Sequence, residues 1–332
     1  MVDPIRSLLS EPIDRHIEEV IKVDQADEGI VRQEIQDYVV TTAIARKLVE
    51  VLDRYLEAPN KPSDDVGVWV SGFFGSGKSS FAKMLGYAIS DRQLGDARAP
   101  ALLAERVGDG RIAQLLRLIP ERIPTHAVIF DVSTSRTIKA SAQPLTEIMY
   151  RALLGSLGYA QNIDLAELEI ALEGEGRLDA FRQAFEQCYP GKVWDQRKGL
   201  VSFAFGEAAR VMHDLDPTTW PQPDSWVHAA KGRAELSPNR LAERCLELIR
   251  RRKPGHAVLF VVDEVGQFVA QDKDKIQELQ GIVEALGKPG RGRTWLVATS
   301  QERLNEVVSS NSDQRVELAR LLGLDALKQG AN

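Results

Sequence analysis

The sequence predicts an α/β fold of three layers, a parallel sheet held between helices. Three observations carry that prediction: four short apolar runs rich in β-branched residues, helix-like stretches between them, and a glycine-rich stretch directly after the first run. The runs are VGVWVS (66–71), HAVIFDV (126–132), AVLFVVD (257–263) and TWLVAT (294–299). They are continuously apolar rather than alternating, as strands covered on both faces of a parallel sheet tend to be. Parallel neighbours need crossovers, and helices supply them.

Before the first run lies a clear helical period. Thr41 or Thr42 is a plausible N-cap, and Ile44, Leu48, Val51, Leu52 and Tyr55 then share one face. APNKPSDD (58–65) breaks the pattern with two prolines. Residues 1–65 are therefore expected to form a helical lead-in packed on a core that spans 66–332. More than a hundred residues separate the second and third runs, far more than a simple crossover uses. Helical patterns at 178–188 and 241–250, interrupted by the loop PTTWPQPDSW (217–226), predict a helical insertion over about 140–255.

Composition narrows the class. With 332 residues, 43% hydrophobic and 27% charged, the chain reads as globular, and no apolar run approaches the ~20 residues of a membrane helix. Asp3, Arg6 and Glu11 speak against a secretory signal at the N-terminus. Cys188 and Cys245, the two cysteines, form no C-x-x-C pair, which predicts neither disulfide framework nor zinc site and a reducing, cytoplasmic location. A net charge of -6 gives no general help to nucleic-acid binding, although a local patch is compatible with it.

Gly72, Phe73, Phe74, Gly75, Ser76, Gly77, Lys78 and Ser79 match G-x-x-x-x-G-K-[ST], with Ser80 following. The glycines allow successive N–H groups to turn inward around an anion, and the helix expected from Ser79 adds the positive end of its dipole. In this pattern Lys78 reaches the β- and γ-phosphates and the Ser79 hydroxyl ligates Mg²⁺. A P-loop of this kind needs a carboxylate at the end of another strand. Asp131 and the pair Asp263-Glu264 compete, and the pair is preferred: Asp263 holds Mg²⁺ through water, and Glu264 orients or deprotonates the attacking water. Asp131 is then read as an ordinary strand-end residue. Asp263-Glu-Val-Gly266 also fits the D-x-x-G of a GTPase, but no [NT]-K-x-D follows, so adenine is the expected base.

The fourth run places Thr299, Ser300 and Gln301 at its tip, where they touch the γ-phosphate or the attacking water; alternatively Ser300 only caps a helix from Glu302. Arg250 to Lys253 ends a helix, where cations suit the dipole. Arg291 and Arg293 lie on a turn that meets solvent, a neighbouring subunit or nucleic acid. Arg315 is the candidate arginine finger, acting from a neighbouring copy. The tryptophans read as core or loop anchors.

With these motifs in this order the chain resembles AAA+/STAND-like P-loop ATPases. That resemblance implies an adenine wall from Val39 and Val40, ahead of the P-loop. PIDRHIEEVIKVDQADE (12–28) followed by GVWVSGFFGSGKSSFAKML (67–85) is similar to the P-loop protein of BREX phage-defence systems, the BrxC/PglY family. This likeness implies ATP and Mg²⁺ as cofactors, and slow hydrolysis as a switch or motor. It also implies a DNA methyltransferase and a phosphatase-like protein as partners, homo-oligomers at full length, and DNA contact through other regions. Members are much longer, so the chain is expected to be an N-terminal fragment. A non-hydrolysing nucleotide-bound scaffold and a DNA-translocating ATPase remain the alternatives.

Overall fold

In the computed structural model, residues 27–61, 66–73, 75–132, 143–230, 232, 236–269 and 272–301 are described. The four apolar runs become β1 (Gly67–Ser71), β4 (Thr125–Asp131), β5 (Ala257–Asp263) and β6 (Thr294–Ser300); a two-residue hairpin, β2 (Gln93–Leu94) and β3 (Ala97–Arg98), lies apart from them. The main sheet is parallel, in the order β1-β6-β5-β4. Every residue of β1, β5 and β6 is buried, whereas β4, at the end of the row, alternates with half-buried positions. Continuous apolarity and complete burial thus go together, as a sheet covered on both faces requires.

Successive side chains of each strand enter two different cores. Val68, Val70, Leu259, Val261, Trp295 and Val297 join one, with helices drawn from residues 28–122. Trp69, Val258, Phe260, Val262, Leu296 and Ala298 join the other, with the helices of residues 145–290. The layers therefore follow chain order. The described helices between β4 and β5, together with helix Lys273–Gly290, cover one face. Within the insertion the 178–188 pattern is a helix with those bounds, and the 241–250 pattern extends to Pro238–Arg252. Trp226 departs from the expected loop: it is buried in helix Ser225–Ala230.

The lead-in helix Thr42–Glu57 buries Ile44, Leu48, Val51, Leu52 and Tyr55, and Thr41 Oγ1 caps it by accepting from Ile44 N–H at 3.3 Å. Tyr55 fastens this helix to the sheet. Its hydroxyl pairs with Thr125 Oγ1 at 2.7 Å and its ring lies 5.2 Å from that of Trp295. A second tie joins helix Glu28–Asp37 to helix Lys78–Ile89: the fully buried Lys83 meets Glu34 at 2.6 Å. A buried cation in an otherwise apolar helix face is tolerable only with a close carboxylate.

Removing one partner should therefore cost more than removing both. Glu34→Ala is expected to lower stability by about 3 kcal/mol, and Glu34→Leu with Lys83→Met to recover most of the loss. Urea midpoints of the parent, single and double variants decide it; an indifferent single variant would show that the pair does not hold this helix.

Candidate functional site

The carboxyl ends of the parallel strands collect the residues that the sequence singles out. Beyond β1 the chain turns through the glycine-rich loop, and Gly72 N–H donates to Ser300 O at 3.3 Å. Gly75 and Gly77 adopt left-handed backbones that suit glycine, with φ +75° and +82°. Gly77 is the residue before helix Lys78–Ile89, so the helix's free N–H groups open toward the loop. Lys78 starts the helix and is only 6% exposed. Its Nζ donates to Phe73 O at 3.0 Å, closing the loop on itself. Burial pushes the Lys78 ammonium below its ordinary range, and the charges of Glu264 and Asp263 pull it back up.

Register explains why those carboxylates are close. Val70 lies opposite Thr299 and Ser71 opposite Ser300 on β6, and Val262 lies opposite Ala298. β6 thus separates the loop from the acidic pair by one strand, about 10 Å between the outer backbones. Asp263 is 4% exposed, and Thr299 Oγ1 donates to its Oδ1. The same Thr299 oxygen accepts from Glu264 N–H at 3.0 Å. Glu264 itself has φ +62°, a left-handed backbone that costs a non-glycine residue about 1 kcal/mol. This turn takes the chain from β5 into helix Val265–Val269. Gly266 follows because nothing larger fits: a Cβ there would overlap Ser300 Oγ.

The three residues at the tip of β6 differ in their surroundings. Thr299 is 1% exposed, and its hydroxyl bridges the Asp263 carboxylate and the Glu264 N–H. Ser300 is buried against Gly266. Gln301 alone of the three is half-buried, and it hydrogen-bonds the Glu264 side chain. Asp131 is more than a strand end: it lies in register with Asp263, and its charge acts on Glu264. The available signal was that two of the apolar runs carry an Asp at or next to their last residue, Asp131 and Asp263. Arg291 and Arg293 sit at the start of β6, about 20 Å from Ser300 along the strand. They cannot serve the site of their own chain. Val39 is 68% exposed, and Val40 is partly buried against the lead-in core. Ser79 and Ser80 are half-buried in the first helical turn. Phe74 and Arg315 lie outside the described residues, as does most of the 12–28 stretch.

Two buried atoms lack a hydrogen-bond partner here: Ser76 Oγ in the loop and Glu264 Oε2 beside it in the sheet's carboxyl edge. Buried polar atoms are normally paired, so both suit a site that a polar ligand completes. Among the described residues no group of three or more His, Cys, Asp or Glu could hold a metal alone. A cation here would need ligand oxygens besides Ser79 and Asp263. Cys188 and Cys245 are free, and no helix among the described residues is long and apolar enough to cross a membrane. No family model matches the chain, and no solved structure matches it.

Burial, then Asp263 and Asp131, raise the Glu264 carboxyl above its ordinary 4.5, against the opposing pull of Lys78 and Gln301. As pH rises past 4.5 the unfolded chain ionises first, so stability falls until the folded-state pKa is passed and stays lower above it. Glu264→Gln should therefore raise the melting temperature of the ligand-free protein at pH 7, with the gain shrinking toward pH 4. Thermal melts at both pH values check it, and equal or lower stability of the variant at pH 7 would contradict the charge arrangement.

Proposed function

We propose that the carboxyl edge of the sheet binds ATP with Mg²⁺, and that the protein is a P-loop ATPase of the AAA+/STAND-like class. Within that class the reading is the ATPase region of a BREX phage-defence protein of the BrxC/PglY family, on the strength of the 12–28 and 67–85 stretches. One observation carries the class. A glycine-rich loop ending in a desolvated Lys78 and an acidic pair on β5 flank the same strand, close enough for their charges to act on each other.

In this reading the loop N–H groups and Lys78 take the phosphates, an anion offsetting what burial costs the ammonium. Ser79 and, through water, Asp263 would hold Mg²⁺, which would supply positive charge against the phosphate oxygens. Thr299 fixes Asp263 and the Glu264 backbone, leaving the Glu264 carboxylate to orient a water or take its proton. A raised pKa makes Glu264 the better base. Val39, exposed ahead of the loop, is the proposed adenine contact together with Val40.

Two variants separate hydrolysis from mere nucleotide binding. Lys78→Ala should weaken Mg·ATP binding at least tenfold in titration calorimetry, with ATP preferred to GTP in the parent. Glu264→Gln should bind ATP normally and lose turnover. Normal turnover in that variant would support a scaffold whose nucleotide is structural, and undiminished ATP binding by Lys78→Ala would refute the site.

Lys78 is the cation whose charge acts on Glu264 among the described residues. A further arginine at the γ-phosphate is worth about three to five powers of ten in rate in related enzymes. We assign it to Arg315 of a neighbouring copy. Sedimentation should show assembly with ATPγS, and Arg315→Ala should bind ATP with turnover down at least a hundredfold. A monomer at saturating nucleotide, with full turnover in Arg315→Ala, would overturn the assignment.

A further inference from the structure

The amino edge of the same sheet gathers cations that the sequence divides among three distant segments. β4, β5 and β6 all begin there. Ala257 N–H donates to Pro124 O at 2.7 Å, and Val258 N–H donates to Arg293 O at 2.8 Å. These bonds set the end of helix Gly110–Arg122, the 253–256 turn and the 290–293 turn side by side. Adjacent strands lie about 4.8 Å apart, so three starting points fall within about 10 Å.

Arg122, Lys253, Lys288, Arg291 and Arg293 are all exposed at this edge. None of the five side chains is ion-paired or hydrogen-bonded to another described residue. This contrasts with Arg251 and Arg252 nearby, both of which pair with Glu173. Glu121, exposed beside Arg122 in the chain, leaves the grouping strongly cationic; Asp64 and Asp65, before Val66, lie outside the described residues. The field is felt locally. Burial, helped by Lys253 and His256, lowers His126 to about 4.

The surroundings select among polyanions. The exposed large apolar side chains among the described residues are Val39, Phe73, Val193, Leu200, Val201 and Phe203, none of them in the segments that carry the five cations. A protein interface of useful affinity needs apolar or aromatic anchors, and stable membrane attachment couples basic residues to an apolar group. Single-stranded nucleic acid is usually gripped by exposed aromatic rings. Guanidinium-rich exposed turns without such groups suit the phosphates of a duplex. We propose that the amino edge of the sheet docks the phosphate backbone of duplex nucleic acid, without reading base sequence. A net charge of -6 conceals this, because the balance of the whole chain averages over a patch at one edge.

The test is fluorescence anisotropy of the full chain with labelled duplex DNA, duplex RNA, single-stranded DNA and anionic phospholipid vesicles. Four phosphate contacts would weaken duplex binding about 100-fold between about 50 and 200 mM salt. Unrelated DNA sequences should bind alike. Lys253→Glu with Arg291→Glu and Arg293→Glu should weaken duplex binding at least tenfold while thermal stability and ATP binding stay at parent values. The ATP measurement keeps the result separate from the nucleotide site at the other edge. Duplex affinity unchanged by the charge reversal would overturn the proposal, as would no duplex binding at the lower salt or tighter binding to vesicles or single strands.

Discussion

One hydroxyl organises the carboxyl edge of this protein. Thr299 Oγ1 donates to the Asp263 carboxylate and accepts from the Glu264 N–H, so a single buried side chain on β6 fixes two consecutive residues at the tip of β5. That bridge exists because β6 lies beside β5 in the sheet. It helps hold Glu264 in a left-handed backbone that its Cβ disfavours, and this turn directs the chain away from the strand. Gly266 then lets helix Val265–Val269 approach Ser300. A larger side chain at 266, or an apolar one at 299, would disturb the same few atoms.

The edge is electrostatically costly as it stands. Lys78 is desolvated, Glu264 is crowded by Asp263 and Asp131, and buried Ser76 Oγ and Glu264 Oε2 lack partners. Strain and desolvation collected in one place are characteristic of sites that a ligand completes. Stability has to come from elsewhere, and the two cores on either face of the sheet supply it. Lys83 and Glu34 show a different use of charge, tying helix Glu28–Asp37 to the helix that follows the glycine-rich loop.

Charge is also separated along the strands. Asp131, Asp263 and Glu264 lie at the carboxyl edge, while Arg122, Lys253, Lys288, Arg291 and Arg293 lie at the amino edge. The proposed nucleotide and nucleic-acid surfaces are therefore opposite ends of one rigid sheet. β6 runs from one to the other, carrying Arg293 just before its first residue and Ser300 as its last.

The sequence alone determined the strands, the capped lead-in helix and the glycine-rich loop, because each is a local pattern. A continuous apolar run, a 3.6-residue period and a fixed glycine spacing are readable without knowing any neighbour. Tyr55, Leu52 and Leu48 were assigned to a buried face on period alone, and they are buried. What only the tertiary structure decided is which strand stands beside which. The Thr299 bridge, the alignment of Asp131 with Asp263, and the meeting of Arg122 with the 253–256 and 290–293 turns all join residues 35 to over 130 positions apart. Strand order in a parallel sheet is set by how crossover helices pack on its two faces, a property of the whole core that no short stretch of chain contains.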